Sequence, residues 1–282
     1  MRARIWGCRG SLPTPGKETV RYGGNTSCIE VVLADGTLVI LDAGSGIRAL
    51  GVRIAREQPR TIHLCLTHLH LDHLEGFGFF QPIWRPDFEL HVWGPPSPVR
   101  TLEQRIARYF SPPLFPMQLS DVRADITFHD VVTAEWTIGS ARLVSDLISH
   151  PGATLGFRLE EEGRALAYLP DHEPVLGGGV AAYGHDWISG FRLAAGADVL
   201  LHDAQYSEAE YEARIGLGHA SVGDAVDLAR AAEVERLLLF HHDPLHSDGE
   251  LAGLERTARR RWKGPGSAPA LAREGLELEL SS

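Results

Sequence analysis

Short apolar runs closed by Gly, Pro, Asn or Asp recur along the chain, and they predict strands with only a few helices between them. Residues 2–10 read as a strand ending at Gly7 and Gly10, followed by a loop over 11–27 rich in Pro and Gly. Residues 29–42 are two apolar runs joined at Ala34-Asp35-Gly36, the pattern of a hairpin. Ile47, Leu50 and Ile54 then keep helical spacing, and residues 61–66 alternate as a strand does. Residues 74–84, rich in Phe, Trp and Gly, predict a helix ending in a turn at Pro82. A short strand over 89–93 precedes Ser97-Pro98, a good helix start because Ser offers a capping hydroxyl and Pro has no N–H to satisfy. Leu102, Ile106 and Tyr109 continue that helix on one face. Further strands are predicted over 126–131 and 136–148, with a turn at Gly139-Ser140, and a hairpin over 155–159 and 164–169. Residues 173–192 carry no assignable pattern, although His185 or Trp187 could touch a substrate. The last third reads as a strand, a helix over 221–232 begun by Ser221-x-x-Asp224, and a strand ending at the tandem His241-His242.

This mixture predicts an α/β chain, and without a composition break between halves the 282 residues read as one domain, 1–282, with insertions. The balance of 27 basic against 37 acidic residues gives a net charge of −10, which argues against a protein living on phosphate backbones. Arg100, Arg105 and Arg108 share one helical face, and Arg259, Arg260, Arg261 and Lys263 form a late basic run; a solvated face explains each. Cys8, Cys28 and Cys65 are odd in number and lack C-x-x-C spacing, so they read as small core residues in a reducing compartment. Nothing resembles a signal peptide or an 18-residue apolar span, and the expected location is the cytoplasm, away from membranes.

The chemistry concentrates in residues 67–76, THLHLDHLEG. His68 and His70 are two apart and point together if the chain is extended, and a helix after them would swing Asp72 and His73 to the same spot. Imidazole and carboxylate at that density suit zinc, manganese or iron, and two adjacent ligand groups suit two ions better than one. One histidine in a polar turn would be unremarkable; four ligand-type side chains in six positions are not.

This order resembles the signature of the metallo-β-lactamase superfamily of metallo-hydrolases. The resemblance implies a four-layer αββα sandwich with its metals at one edge and further ligands downstream. His150 in ISHPG stands where that pattern has its third histidine, and Asp171 in YLPDHE where it has a carboxylate shared by two cations. The last ligand falls at His241, or at His242 if the register slips by one residue. By the same resemblance Asp42 in LDAGSG steadies the metal-binding loop from behind, and His172 lies outside the ligand set. Asn25, Thr26 and Ser27 in the early loop could contact substrate or simply form a turn.

The run DVLLHDAQYSEAEY, then GHAS, then ERLLLFHHDP resembles the ribonuclease Z branch, including relatives that hydrolyse small phosphodiesters. There an acidic residue and a histidine cooperate, which implies that Asp203 orients His219 as the proton donor to a leaving alkoxide; a loop histidine capping the next helix is the alternative for His219, and His202 reads as a packed neighbour. That pattern usually has Glu where this chain has Asp203, a shorter reach. With His68, His70 and His150 on one ion, Asp72, His73 and His241 on the other and Asp171 between, a hydroxide activated by two cations would attack a small linear or cyclic phosphodiester. The 20 residues between His150 and Asp171 leave room for one hairpin only, without the arm that ribonuclease Z uses on transfer RNA. An RNA nuclease, a sensor that binds without turnover, and esterase or lactonase activity are the competing readings, and the assembly is open, a homodimer included.

Overall fold

Leu38–Leu41, LVIL, is apolar on both sides, which is what a strand buried between two layers requires. In the computed structural model, which describes residues 1–57 and 60–280, β1 (Arg2–Gly7), β2 (Cys28–Val32), β3 (Leu38–Leu41), β4 (Thr61–Cys65), β5 (Glu89–Gly94) and β6 (Asp125–Asp130) pair in sequence order. A second sheet holds β7 (Ala134–Ile138), β8 (Ala141–Leu147), β9 (Leu155–Glu161), β10 (Arg164–Leu169), β11 (Val199–Asp203), β12 (Arg236–Phe240) and β13 (Ser267–Leu271), again in order. The chain then returns as β14 (Glu277–Glu279) to pair antiparallel with β1, so each sheet has seven strands.

The pleat sorts neighbouring side chains into different layers. Val39 and Leu41 of β3 point between the sheets and meet Leu143, Phe157, Leu166 and Phe240 of the second. Leu38 and Ile40 point the other way, onto Ile47, Leu50 and Ile54 of α1 (Ile47–Ile54) and Leu102 and Ile106 of α2 (Leu102–Tyr109). On the far side of the second sheet, Leu200, Leu237 and Leu239 are covered by α3 (Phe191–Ala194), α5 (Val222–Ala231) and α6 (Asp248–Arg261), while α4 (Glu208–Tyr211) sits in the connection after β11. Helix, sheet, sheet, helix is the four-layer sandwich expected. Cys8, Cys28 and Cys65 are free and buried, and among the described residues no helix is long and apolar enough to cross a membrane.

Three local expectations are corrected. Residues 74–84 form no α-helix: Leu71–His73, Phe77–Phe79 and Gln81–Trp84 are separate 3-10 turns, because Gly76 and Gly78 pack against Gly44 and Phe115 too closely for any side chain and Pro82 stops the run. The helix after β5 starts at Leu102, not at Ser97-Pro98. Thr101 is its cap, accepting from the Gln104 N–H at 3.2 Å while the Gln104 side chain accepts from the Thr101 N–H, so Arg100 lies before the helix. Strand β1 ends at Gly7, and after it Arg9 makes isolated bridges to Thr26 and His242.

Strands β8, β10, β11 and β12 run the same way and deliver His150, Asp171, Asp203 and His241 at or just past their C-terminal ends, and His68 follows the end of β4 in the first sheet. A backbone bond from Leu155 N–H to the Thr67 carbonyl, 2.9 Å, ties the two sheets together at this edge. That is the edge on which side chains from both sheets converge.

Candidate metal centre

After β4 the chain stays extended through His70 and then makes the 3-10 turn Leu71–His73. One short turn brings Asp72 and His73 back towards His68, the task expected of a longer helix. Two groups result, each with its ligand atoms within 4.8 Å of one another: His68, His70, His150 and Asp171, and Asp72, His73, Asp171 and His241. Asp171 belongs to both. Its Oδ2 lies 3.8 Å from Nε2 of His68 and of His150, and its Oδ1 lies 2.8 Å from Nε2 of His73 and 3.2 Å from that of His241.

The opposite nitrogens are fixed from behind. His73 Nδ1–H donates to Asp42 Oδ2 at 2.8 Å, His150 Nδ1–H to the Gly218 carbonyl at 2.8 Å, and His241 Nδ1–H to Gln205 Oε1 at 2.9 Å. His68 Nδ1 faces the Thr67 hydroxyl at 3.1 Å. His70 is turned the other way, its Nδ1 3.3 Å from His150 Nε2. Such partners set which nitrogen carries the proton and which is presented as a ligand. Asp42, at φ 62°, is itself held by Thr67 N–H at 2.8 Å and Tyr168 O–H at 2.9 Å, the supporting role its position implied.

No ion is part of the structure, so the fit of this donor set rests on its own atoms. His68 Nε2, His73 Nε2 and Asp171 Oδ1 are buried and find no hydrogen-bond partner of good geometry. Burial costs a polar atom its hydration, and leaving it unmet costs about 1–3 kcal/mol. His68 Nε2 belongs to the first group and His73 Nε2 with Asp171 Oδ1 to the second, so each group holds a buried atom that a cation would satisfy. The electrostatics agree: burial disfavours charge on His73, yet the pull of Asp171, Asp72 and Asp42 outweighs it and raises its pKa well above the usual range. Burial likewise opposes ionisation of Asp72 and Asp171, and the surrounding imidazoles prevail and hold both carboxyls well below theirs. The centre draws positive charge, and imidazole with carboxylate is a donor set for zinc, manganese or iron.

His241 is the member of the tandem pair that faces this centre. Its backbone turns to φ 58°, which sends the His242 ring away to donate to the Ala272 carbonyl at 2.8 Å. Gly10 lies so close that a β-carbon there would come within 2.4 Å of His241 Nδ1.

Asp203 and His219 form a third group with His241 at the rim. His219 Nδ1–H donates to Asp203 Oδ2 at 2.7 Å, so the shorter acid reaches, and the ring stands 5.0 Å from those of His150 and His241. Burial opposes charge on His219, but Asp203 more than compensates and raises its pKa to about 9. Asp203 also accepts from the N–H groups of His172, Gln205 and Ala220, and His202 packs behind it against His172.

Other expectations fall outside the centre. Thr26 is buried between Ser45 and Glu75, and Asn25 bonds Glu274, so the early loop braces the fold rather than meeting a ligand. His185 stacks on Phe191 at 4.2 Å and Trp187 is exposed; His185 lines a cleft of about 740 Å³ that includes none of the clustered residues. Residues 109–117 serve two ends: Phe110 and Phe115 are core, while Tyr109 and Leu114 wall a cavity of about 630 Å³ that His68 and His70 also line.

Four contributors carried no separate signal in the linear pattern. Gln205 orients His241, and Tyr168 supports Asp42. Ser11 N–H donates to Asp72 Oδ2 at 2.7 Å. Buried Glu173 accepts from Tyr211 O–H and from the N–H groups of Gly216 and Gly218, holding the loop that presents Gly218 to His150. Gln205 lies inside DVLLHDAQYSEAEY, and Tyr168 and Glu173 stand at the two ends of YLPDHE, segments whose signal comes from other residues.

The model of the β-lactamase superfamily domain matches residues 37–242, and the chain belongs to that superfamily, whose metallo-hydrolase members share this sandwich. It is 26% identical over 317 residues to a ribonuclease Z of Haloferax volcanii, covering 99% of this chain and 95% of that one. Its fold resembles a diphosphatase from the PhnP family, with a TM-score of 0.69 at 17% identity over 99% and 98% of the two chains. It likewise resembles zinc-bound PqqB of Methylobacterium extorquens, with a TM-score of 0.71 at 17% identity over 99% and 100%.

Proposed function

We propose that this protein is a hydrolase that holds two divalent cations, zinc foremost, and cleaves small linear or cyclic phosphodiesters. The observation that carries this reading is the division of Asp171, with one oxygen towards each of two imidazole groups. His68, His70 and His150 would hold one ion, Asp72, His73 and His241 the other, and Asp171 both. Cations held there supply a water acidic enough to attack near neutral pH and positive charge against the phosphoryl oxygens.

The chain's own residues do the rest. Asp42, Gln205 and the Gly218 carbonyl keep three imidazoles aimed, which maintains the geometry between turnovers. Asp203 holds His219 protonated at its Nδ1, leaving Nε2 as the proton donor to a departing alkoxide. Diester cleavage uses all of this, because attacking and leaving oxygens need stabilising together.

An RNA nuclease is the second reading, favoured by the likeness to ribonuclease Z across nearly the whole chain. Against it stand the net charge of −10 and the fact that β9, β10 and their short flanking turns occupy residues 151–170, leaving no room for a substrate-gripping arm. The deciding experiment is metal analysis of purified protein, followed by assays on bis-p-nitrophenyl phosphate, cyclic mononucleotides, RNA and a lactone. Two ions per chain with diester cleavage are expected, and Asp171→Ala should lose both. Steeply salt-dependent RNA cleavage without small-diester turnover would favour the nuclease. Turnover of the lactone alone would overturn the phosphodiesterase reading.

A further inference from the structure

We infer that the cavity beside His68 and His70 selects a diester bearing an apolar ring and, beyond it, a second anionic group that Arg108 binds. This rests on the hydrolase reading above and adds to it the class of substrate.

The cavity, about 630 Å³, is of the size that takes a small organic ligand, and His68 and His70 open directly onto it. Its lining includes Arg105 and Arg108 and no carboxylate, in a chain whose net charge is −10. A region of positive charge against that background attracts anions.

The two arginines are not equivalent. Arg105 donates to the Pro95 carbonyl and pairs with Asp130 at 3.3 Å, so it is anchored and partly neutralised. Arg108, one helical turn on and exposed, meets no carboxylate among the described residues. A guanidinium left in this way presents a fork of N–H donors that matches a phosphate or carboxylate in two places.

The rest of the wall is apolar and unusually open. Leu71 and Leu114 are 60% and 72% exposed, and Pro96 and Pro151 flank them. The Tyr109 hydroxyl donates to the Glu75 carbonyl at 2.8 Å, which holds its ring in place as a flat face. A nucleobase or similar ring would cover these surfaces and exclude water from them. A substrate with one phosphate uses the metal centre and leaves Arg108 unmet; one with a terminal phosphate beyond its ring engages both.

The test compares adenylyl-(3′,5′)-adenosine with the same dinucleotide carrying a terminal phosphate at its 5′ or its 3′ end. With zinc-loaded protein, one phosphorylated form should have a kcat/KM roughly ten- to a hundredfold above the unphosphorylated one, the worth of a charged hydrogen bond. Arg108→Ala should abolish that preference and Arg108→Lys should keep part of it. Calorimetric titration of zinc-free protein, where nothing is cleaved, should rank the three ligands in the same order. An unchanged thermal midpoint confirms that this exposed substitution leaves the fold intact. The inference is overturned if wild type shows no preference, or if the preference survives in Arg108→Ala. Failure to cleave bis-p-nitrophenyl phosphate at all would instead sink the small-diester phosphodiesterase reading, so the two failures are distinct.

Discussion

His241 and His242 are chemically identical, adjacent and both buried, yet only one of them faces the ligands. Periodicity places the turn but not the ring, because His241 adopts a left-handed backbone that no alternation rule anticipates. His242 is instead bound to the Ala272 carbonyl, and burial lowers its pKa to about 3, so it is neutral and structural. We expect His241→Ala to lose the ion shared with Asp72 and His73, while His242→Gln keeps full metal content in elemental analysis; the opposite result would reverse the assignment. His219 makes a prediction in pH. Its pKa is raised to about 9, so it is protonated at neutral pH and its donor form is lost as pH rises through that value; bound cations nearby would move the loss lower. For diesters with poor leaving groups, kcat should fall on this alkaline limb and drop by about 10² to 10⁴ in His219→Ala. p-Nitrophenolate needs no proton to leave, and its release should show neither effect. An alkaline limb that persists in His219→Ala would assign it to another group. His68, His70, Asp72 and His73 were legible because they are close in sequence, whereas Gln205 and Glu173 act through bonds to distant partners that no local spacing encodes.

Elements were legible where a period ran long enough to be read, as in β2, β3, β9, β10 and α5. They were misread where glycine and proline interrupt an apolar run, as in residues 74–84. At α2, two capping residues competed, and the reciprocal pair Thr101 with Gln104 prevailed over Ser97-Pro98 because it satisfies two terminal groups at once. Thr101→Ala should therefore destabilise the protein by about 1 kcal/mol in denaturant unfolding, and Ser97→Ala by much less. Equal effects would mean that the helix begins earlier. In the segment between α4 and α5, the N–H groups of Gly216 and Gly218 are held by one carboxylate. Glu173 receives Gly216 N–H at 2.9 Å and Gly218 N–H at 2.9 Å, and Gly218 in turn receives His150. Glu173→Ala should weaken metal affinity about 10- to 100-fold by releasing His150, with partial rescue in Glu173→Gln, which keeps one acceptor oxygen. Loss of stability with unchanged metal affinity would make Glu173 a brace for the loop and nothing more.

At the scale of the whole molecule, three apolar layers are closed by the alternation of each strand, and the family pattern made that sandwich legible. What the linear pattern does not carry is which strand ends share an edge, since β4 and β12 lie in different sheets and pair with no common strand. Two sheets meet at that edge through His68, Asp72 and His73 from one and His150, Asp171 and His241 from the other, with three buried atoms unmet. Sites that satisfy those atoms exist only in the folded state, so the energy of cation binding there adds to the stability of the sandwich. Free zinc at one hundred times its dissociation constant would add about 2.7 kcal/mol, enough to raise the thermal midpoint by several degrees. We expect a chelator to lower the midpoint by that amount and zinc to restore it, with no response in Asp171→Ala, whose carboxylate is the one both groups share. Removing that carboxylate also takes a partner from the buried His73 and His241 imidazoles, so the metal-free variant should be no more stable than metal-free wild type. A midpoint indifferent to zinc in the wild-type protein would mean that the edge is satisfied by internal contacts alone, and the two-cation reading would fall with it.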